Sequence, residues 1–194
     1  MLDWQSIQAT LFSLVRGDIE AFAPQHQSEQ FYGFFLDCNS YYGDVFPCLN
    51  TTALLRNRAE TYKHDLQSIA GPAVMPVLYA SKTVAEIEEE LRWSPGDWGY
   101  LQINRWDECR REWDPVVKLV ELARDEDDSF EERFMTMACR LLIQIEESGV
   151  LSLLTRTPSF ATMCADHDEP LNDSRTRLDR IRKQATGKLT SGGS

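Results

Sequence analysis

The chain has 194 residues, of which 42% are hydrophobic, and a formal net charge of -11 with an isoelectric point of about 4.7. This composition can fill the core of one domain, and the acidic surface repels nucleic-acid phosphates and anionic lipid while it attracts a basic partner. Acidity also serves solubility alone. Because the N-terminus lacks a basic region and no run reaches the roughly 18–20 apolar residues of a membrane helix, we expect a cytoplasmic protein that binds neither nucleic acid nor membrane.

An amphipathic helix is predicted at the start of the chain, over residues 3–23. Its apolar residues recur at three- and four-residue steps, so they form one stripe along the helix. Asp3 is the expected N-cap, and Pro24 is expected to end the helix.

An aromatic-rich β-hairpin is predicted next, with strands at residues 30–37 and 44–49 on either side of a turn at 39–43. The aromatic residues of the first strand are too dense for strict alternation. This density indicates a strand buried on both faces, or a bulge at Gly33. Pro47 has no backbone donor, so we expect the second strand to be an edge strand at that point.

The rest of the chain is predicted to be mostly helical. In chain order, we predict a helix to Leu66 capped by Asn50 or Thr51, an acidic helix at 83–91, a helix at 106–124, an acidic linker at 125–128, a helix from a Ser129–Glu132 capping box to Gly149, a strand at 160–165 and a helix at 171–184. The expected fold class is α+β, with a small, mainly antiparallel sheet packed against several α-helices. One globular domain is expected over residues 1–184, followed by a flexible tail at 185–194.

A turn sequence bracketed by two tryptophans follows the acidic helix. Residues 94–97 read SPGD, a strong turn signal, and Trp93 and Trp98 flank it, so their large rings are expected to fix the turn to the body of the protein. Arg92 has two interpretations. It is either structural, paired with Asp97 across the turn and stacked on a tryptophan ring, or it binds an anion.

Several segments occur together in an order that resembles one bacterial domain family. They are residues 31–34, 49–51, 92–98, 146–150 and 160–169, and the run at 92–98 carries most of the likeness. The family is uncharacterised, has about this length and has an Arg-Trp-Ser-Pro-x-Asp-Trp core as its hallmark; the resemblance covers most of residues 30–180. It implies a companion of polymorphic or contact-delivered toxins, which would be an immunity protein, and it implies no catalytic residue.

The sequence contains no familiar catalytic, phosphate-binding or metal-binding motif. His167 lies in an acidic segment that holds metal-ligand residue types, but such a segment is more typical of a solvent-exposed turn after a strand. Asp37 and Asp44 flank the hairpin turn, where they form either a paired-carboxylate site or hydrogen bonds with the local backbone. Five scattered cysteines without a C-x-x-C indicate reduced, mostly buried thiols, and we expect neither a metal nor a cofactor.

The favoured hypothesis is therefore a non-catalytic immunity protein that occludes a cognate toxin with a basic surface. Acidic groups would steer the partner, and aromatic side chains would anchor it. The two tyrosines at the hairpin turn suit this role if they are exposed, although folding of the hairpin against the body would bury them. The expected contact residues are Tyr41, Tyr42, Asp44, Asp166, Asp168 and Glu169.

Two alternatives belong to other functional classes. A scaffold protein would associate, as a homodimer for example, through the strand edge at Pro47 or through an exposed helix stripe. An enzyme of unrecognised class would require several of four groups to converge in one pocket, namely Asp37, Arg92, Asp97 and His167.

Overall fold

Five α-helices and three β-strands make up the described part of the chain, which confirms the α+β class. The structure is a computed structural model that describes residues 3–69, 82–103, 129–167 and 169–190; the predicted helix at 106–124 and linker at 125–128 lie outside these ranges. The elements are α1 (Trp4–Phe22), β1 (Phe31–Asn39), β2 (Asp44–Thr51), α2 (Thr52–Ile69), α3 (Val84–Leu91), α4 (Phe130–Ser148), β3 (Arg156–Asp166) and α5 (Leu171–Thr190).

The three strands form a mixed sheet in the order β2-β1-β3. β1 and β2 form the predicted antiparallel hairpin, but β3 pairs with β1 in parallel, so the expected mainly antiparallel pairing is corrected to one pair of each kind. The path of the chain explains the direction of β3. The Phe31 backbone N–H donates to the Thr155 carbonyl at 2.9 Å, so β3 begins beside the start of β1 and runs alongside it.

The central strand combines both features that its aromatic density predicted. Its register shifts between Phe31 and Gly33 against both neighbours, which confirms the bulge. Every residue of β1 except Asn39 is also buried, so layers cover both faces. A Cβ added at Gly33 would lie 2.9 Å from Cη2 of Trp98, so the absence of a side chain lets this ring lie against the strand backbone.

Different layers cover the two faces of the sheet, because successive side chains of a strand point to opposite sides. On one face, Cys38 and Cys164 bring their Sγ atoms within 3.8 Å and meet Cys139 of α4, beside which α1 and α5 pack. On the other face, the ring of Phe35 meets that of Trp98 with centroids 5.7 Å apart. The tryptophan-bracketed turn is therefore one wall of the core.

β2 is an edge strand, as Pro47 predicted. The segment after the tryptophan turn lies along this edge: Leu49 and Tyr100 exchange backbone hydrogen bonds of 3.0 and 3.2 Å, and Ile103 donates to the Pro47 carbonyl at 2.9 Å. A homodimer that pairs through this edge would have to displace the segment from Pro47 and Leu49.

The helix ends follow the predicted caps with one exception. Asp3 accepts two backbone hydrogen bonds at the start of α1, and the Thr51 hydroxyl accepts one of 3.1 Å at the start of α2, which assigns that cap to Thr51 rather than Asn50. Gly149 ends α4 with a φ of 75°, as predicted. Ser129 precedes α4 but makes no side-chain capping bond, so the predicted capping box is wrong.

Candidate functional site

The hairpin turn exposes two adjacent aromatic side chains. Tyr41 is 52% and Tyr42 57% exposed, and their rings meet edge to face with centroids 5.0 Å apart. The turn closes locally, because the Gly43 backbone N–H donates to the Asn39 carbonyl at 2.8 Å and that of Tyr42 to the Asn39 side chain at 3.2 Å. Of the two alternatives for these tyrosines, the structure therefore favours the exposed one. We call this pair the tyrosine tip.

An open concavity of about 450 Å³ adjoins the tyrosine tip. It lies where the hairpin turn, the first turns of α4 and the connection from β3 to α5 meet. Four carboxylates and one guanidinium line it alongside Tyr41. We call it the acidic concavity, and its charged residues are Glu131, Glu132, Asp166, Glu169 and Arg177.

Glu169 and Arg177 form an ion pair at the floor of this concavity, where their side chains are only 16% and 15% exposed. Burial by itself would raise the pKa of Glu169, but hydrogen bonds from Arg177 and Ser174 outweigh it and hold this pKa below its usual range. The hydrogen bonds that Arg177 donates to Glu169, opposed by burial, raise the pKa of Arg177. Glu169 therefore lies at the predicted site, but Arg177 of the same chain already neutralises its charge.

Asp166 is bound to the hairpin rather than turned into solvent. Its Oδ1 accepts the backbone N–H of Ser40 at 3.2 Å and that of His167 at 2.9 Å, while its Oδ2 accepts the Ser40 hydroxyl. The His167 backbone N–H also donates to the Cys38 carbonyl at 2.7 Å. The connection after β3 is thereby joined to the turn that carries the tyrosine tip.

Asp37 is a nearly buried carboxylate that faces the His167 ring. Each carboxylate oxygen lies 3.3 Å from Nδ1 of His167, and the Asp37 side chain is 12% exposed. Burial raises the pKa of Asp37, and the facing imidazole opposes this only in part.

Of the remaining predicted contact residues, the structure describes only Asp44, which does not line the concavity. Asp44 is half-buried at the first position of β2, opposite Asn39, so Asp37 and Asp44 occupy different rungs of the hairpin. Asp168 lies outside the described residues.

Sequence reasoning missed the contribution of α4. Glu131 and Glu132 occupy its first turn, and Glu132 pairs with Arg180 of α5 at 2.5 Å and with Arg177 at 3.4 Å. Both glutamates follow an acidic stretch, and the sequence pattern assigns Glu132 only to a capping box with Ser129. Only the meeting of α4 with the hairpin turn, which no local pattern reveals, brings them to the site.

The tryptophan-bracketed turn packs against the core of the described structure. Trp98 is 4% exposed, and its indole N–H donates to the Arg92 carbonyl at 3.1 Å. The Tyr32 hydroxyl donates to the same carbonyl at 3.0 Å. Burial raises the pKa of Tyr32 to about 12. The rings of Trp93 and Trp98 lie 5.9 Å apart.

The expected pairing of Arg92 with Asp97 is replaced by two separate interactions. Asp97 accepts hydrogen bonds of 3.0–3.1 Å from Arg58, whose position in α2 no local pattern connects with the turn. Arg92 instead lies 3.2 Å from Glu89 and holds its guanidinium 5.2 Å from the ring centre of Tyr32, not over a tryptophan. The Arg92 side chain therefore contacts α3 and β1 rather than Asp97 of the same segment.

The four groups that an enzyme was expected to need do not converge. Asp37 and His167 lie together near the end of β1, whereas Arg92 contacts Tyr32 near its beginning. Five residues of strand separate Tyr32 from Asp37, which corresponds to about 16 Å. Asp97 lies near Arg92 rather than near Asp37, because the same tryptophan-bracketed segment contains Arg92 and Asp97.

Within residues 3–69, 82–103, 129–167 and 169–190, no group of three or more His, Cys, Asp or Glu side chains is arranged to hold a metal ion. Among the same residues, none of the helices combines the length and apolarity that a membrane crossing requires.

Comparison with known proteins identifies the domain. A family model described as "Domain of unknown function (DUF4303)" matches residues 13–181. The match begins upstream of the resemblance over residues 30–180, so it includes much of α1. Comparisons with curated proteins and with solved structures give no significant match. The expected membership of an uncharacterised family is confirmed: the chain belongs to the DUF4303 family.

Proposed function

We propose that this protein is a non-catalytic immunity protein of the cytoplasm, which binds a cognate bacterial toxin domain with a basic surface and occludes it. The contact surface in this proposal is the tyrosine tip together with the acidic concavity. The observation that carries the proposal is an exposed tyrosine pair, of which Tyr41 lines a carboxylate-lined depression of about 450 Å³.

The tyrosine tip has the properties of an interface anchor. Tyrosine and tryptophan are enriched at binding hot spots because they add a large, rigid contact area for little side-chain entropy. Tyr41 and Tyr42 are more than half exposed at the end of a hairpin whose base is buried. A rigid support beneath exposed rings is what an anchor requires.

The charges of the concavity favour a basic partner. Its four carboxylates face one lining guanidinium, and Arg180 adds a second cation on Glu132. The Glu131 side chain makes no hydrogen bond or ion pair within the part of the chain that the structure describes. Together with the net charge of -11, this surface would speed the approach of a cationic protein, more so at low salt.

The test is co-expression with the product of the neighbouring reading frame, followed by affinity purification and binding measurements at low and high salt. We expect a complex that weakens as salt rises. The double variant Tyr41→Ala/Tyr42→Ala should weaken binding by roughly 30-fold or more, the loss typical of a hot spot. Glu131→Gln/Glu132→Gln should lower mainly the association rate, by about three- to tenfold.

A charge-matched control separates the site from the overall charge. Glu89→Gln/Glu90→Gln removes two exposed carboxylates from α3, which packs on α2 away from the tyrosine tip. This variant should bind almost as the wild type does. The proposal is wrong if no complex forms at either salt concentration, or if the tyrosine variant binds as tightly as the control.

The scaffold alternative predicts a different result in the absence of any partner. Light scattering at micromolar concentration would give the mass of a dimer, whereas an immunity protein can remain a monomer until it meets its target. The segment that is hydrogen-bonded to Pro47 and Leu49 already covers this strand edge. A dimer through the edge is therefore less favourable than one through an exposed helix stripe.

A further inference from the structure

We infer that Asp166, although it lines the acidic concavity, is not itself a contact residue: it positions the tyrosine tip by tying the hairpin turn to the connection between β3 and α5. We call the hydrogen bonds among Asp37, Ser40, Asp166 and His167 the turn clamp. The inference rests on the proposed function for its biological meaning, but its physical content concerns the conformation of this chain alone.

The geometry of the clamp leaves Asp166 little capacity for another molecule. A carboxylate offers about four acceptor sites, and Asp166 uses three of them on two backbone N–H groups and the Ser40 hydroxyl. Ser40 is 3% exposed, so the hydroxyl lies in the protein interior and depends on this partner. Hydrogen bonds to a charged acceptor are about twice as strong as neutral ones.

The clamp is long-range, which distinguishes it from ordinary turn chemistry. Ser40 and Asp166 are 126 positions apart in the chain. His167 adds two contacts on the same side, a backbone donation to Cys38 at 2.7 Å and a side-chain approach to Asp37 at 3.3 Å. The turn is therefore fixed from one side by an element that belongs to another part of the sheet.

The tyrosine tip needs such support because burial does not fix it. Both rings are more than half exposed, and they contact each other at 5.0 Å. Two local hydrogen bonds, from the backbone N–H groups of Tyr42 and Gly43 to Asn39, close the turn. Immobilising a free side chain on binding costs about 0.5–1.5 kcal/mol, so a turn that is already ordered binds more tightly than the same turn left mobile.

The first measurement needs no partner. Chymotrypsin cleaves after tyrosine, and a folded turn must open before Tyr41 or Tyr42 enters the protease. We expect Asp166→Ala to be nicked at these two bonds about tenfold faster than the wild type, because the population of the open turn rises. Asp173→Ala, which removes an exposed carboxylate from the first turn of α5, is the charge-matched control and should be nicked at the wild-type rate.

The second measurement uses the partner protein. If only a fraction of the molecules holds the tip in its binding conformation, the apparent affinity falls by that fraction. Asp166→Ala should then bind about tenfold more weakly, in proportion to its faster nicking. If this variant does not fold, Ser40→Ala removes one bond of the clamp, and a smaller loss of roughly threefold is expected in both measurements.

The outcomes separate this inference from the proposed function. Unchanged nicking of both variants overturns the inference, as does faster nicking accompanied by unchanged affinity. Weaker binding of Asp166→Ala with wild-type nicking also overturns it, because Asp166 would then be a contact residue. Absence of binding by the wild-type protein overturns the proposed function, whereas the nicking rates still decide whether the clamp exists.

Discussion

Gly33→Ala is expected to destabilise the protein, because the added methyl group has no room. A Cβ at this position would lie 2.9 Å from Cη2 of Trp98, a separation that real Cβ atoms essentially never show. The indole cannot move aside freely, since Trp98 is 4% exposed and its ring centroid lies 5.7 Å from those of Tyr32 and Phe35. Overpacking such a core costs about 1–3 kcal/mol, a large part of the roughly 5–15 kcal/mol that stabilises a typical domain.

Trp98→Phe tests the cause of this cost. A phenyl ring lacks the outer indole atom that approaches Gly33, so the clash disappears in the double variant. Trp98→Phe by itself removes ring volume and the 3.1 Å hydrogen bond to the Arg92 carbonyl, which we expect to cost about 1–3 kcal/mol. The double variant should then be about 0.5–3 kcal/mol more stable than the sum of the single changes predicts.

Urea denaturation followed by far-ultraviolet circular dichroism measures all three variants, since this signal does not depend on the altered indole. Gly96→Ala is the control: an added Cβ there meets no atom within 4 Å, so its effect should stay within about 0.5 kcal/mol. Strict additivity of Gly33→Ala and Trp98→Phe would refute the reasoning. A cost for Gly33→Ala no larger than that of the control would refute it as well.

Three further changes test other contacts. Gly99→Ala places a Cβ 2.3 Å from Cδ1 of Leu54, so it should cost about 1–3 kcal/mol in a urea titration, and much less in a Leu54→Ala background. Asp37→Asn removes a group whose pKa burial raises; the wild type should therefore lose stability relative to the variant as pH rises from below 3.8 through the folded pKa, and a pH-independent difference would contradict this. Glu169→Gln weakens the pair with Arg177 and should cost about 2 kcal/mol at neutral pH. Because the pKa of Glu169 is lowered, this cost should shrink as pH falls through the folded pKa, which melts at pH 3 and 7 can measure.

The hairpin could be predicted well because its signals are local. The aromatic density of β1 predicted that layers cover both of its faces, and Pro47 predicted that β2 is an edge strand. The bulge at Gly33 followed from the same density. Asp3 and Gly149 acted through groups a few residues away, which is the range over which sequence patterns are informative.

The direction of β3 and the make-up of the site depend on distant contacts. β3 begins at Arg156 with residues that are mostly exposed, so its first half shows no apolar alternation, and its parallel pairing follows from where α4 returns the chain. The ion pair of Asp97 with Arg58 likewise depends on a contact between distant parts of the chain. The sequence predicts Tyr41 and Asp166 as contact residues by residue type, but only the packed structure distinguishes an exposed tyrosine from a hydrogen-bonded carboxylate.

The parallel pairing of β1 with β3 also affects how the chain folds during its synthesis. A ribosome adds about 5–20 residues per second, so after Ser40 emerges the nascent chain waits roughly 6–25 s for Asp166, which lies 126 positions later. During this interval the phenylalanine-rich strand has one open side, and open apolar strands invite association between neighbouring chains. Chaperone supply and a low rate of initiation are therefore expected to govern the yield of native protein more strongly than the stability of the finished fold.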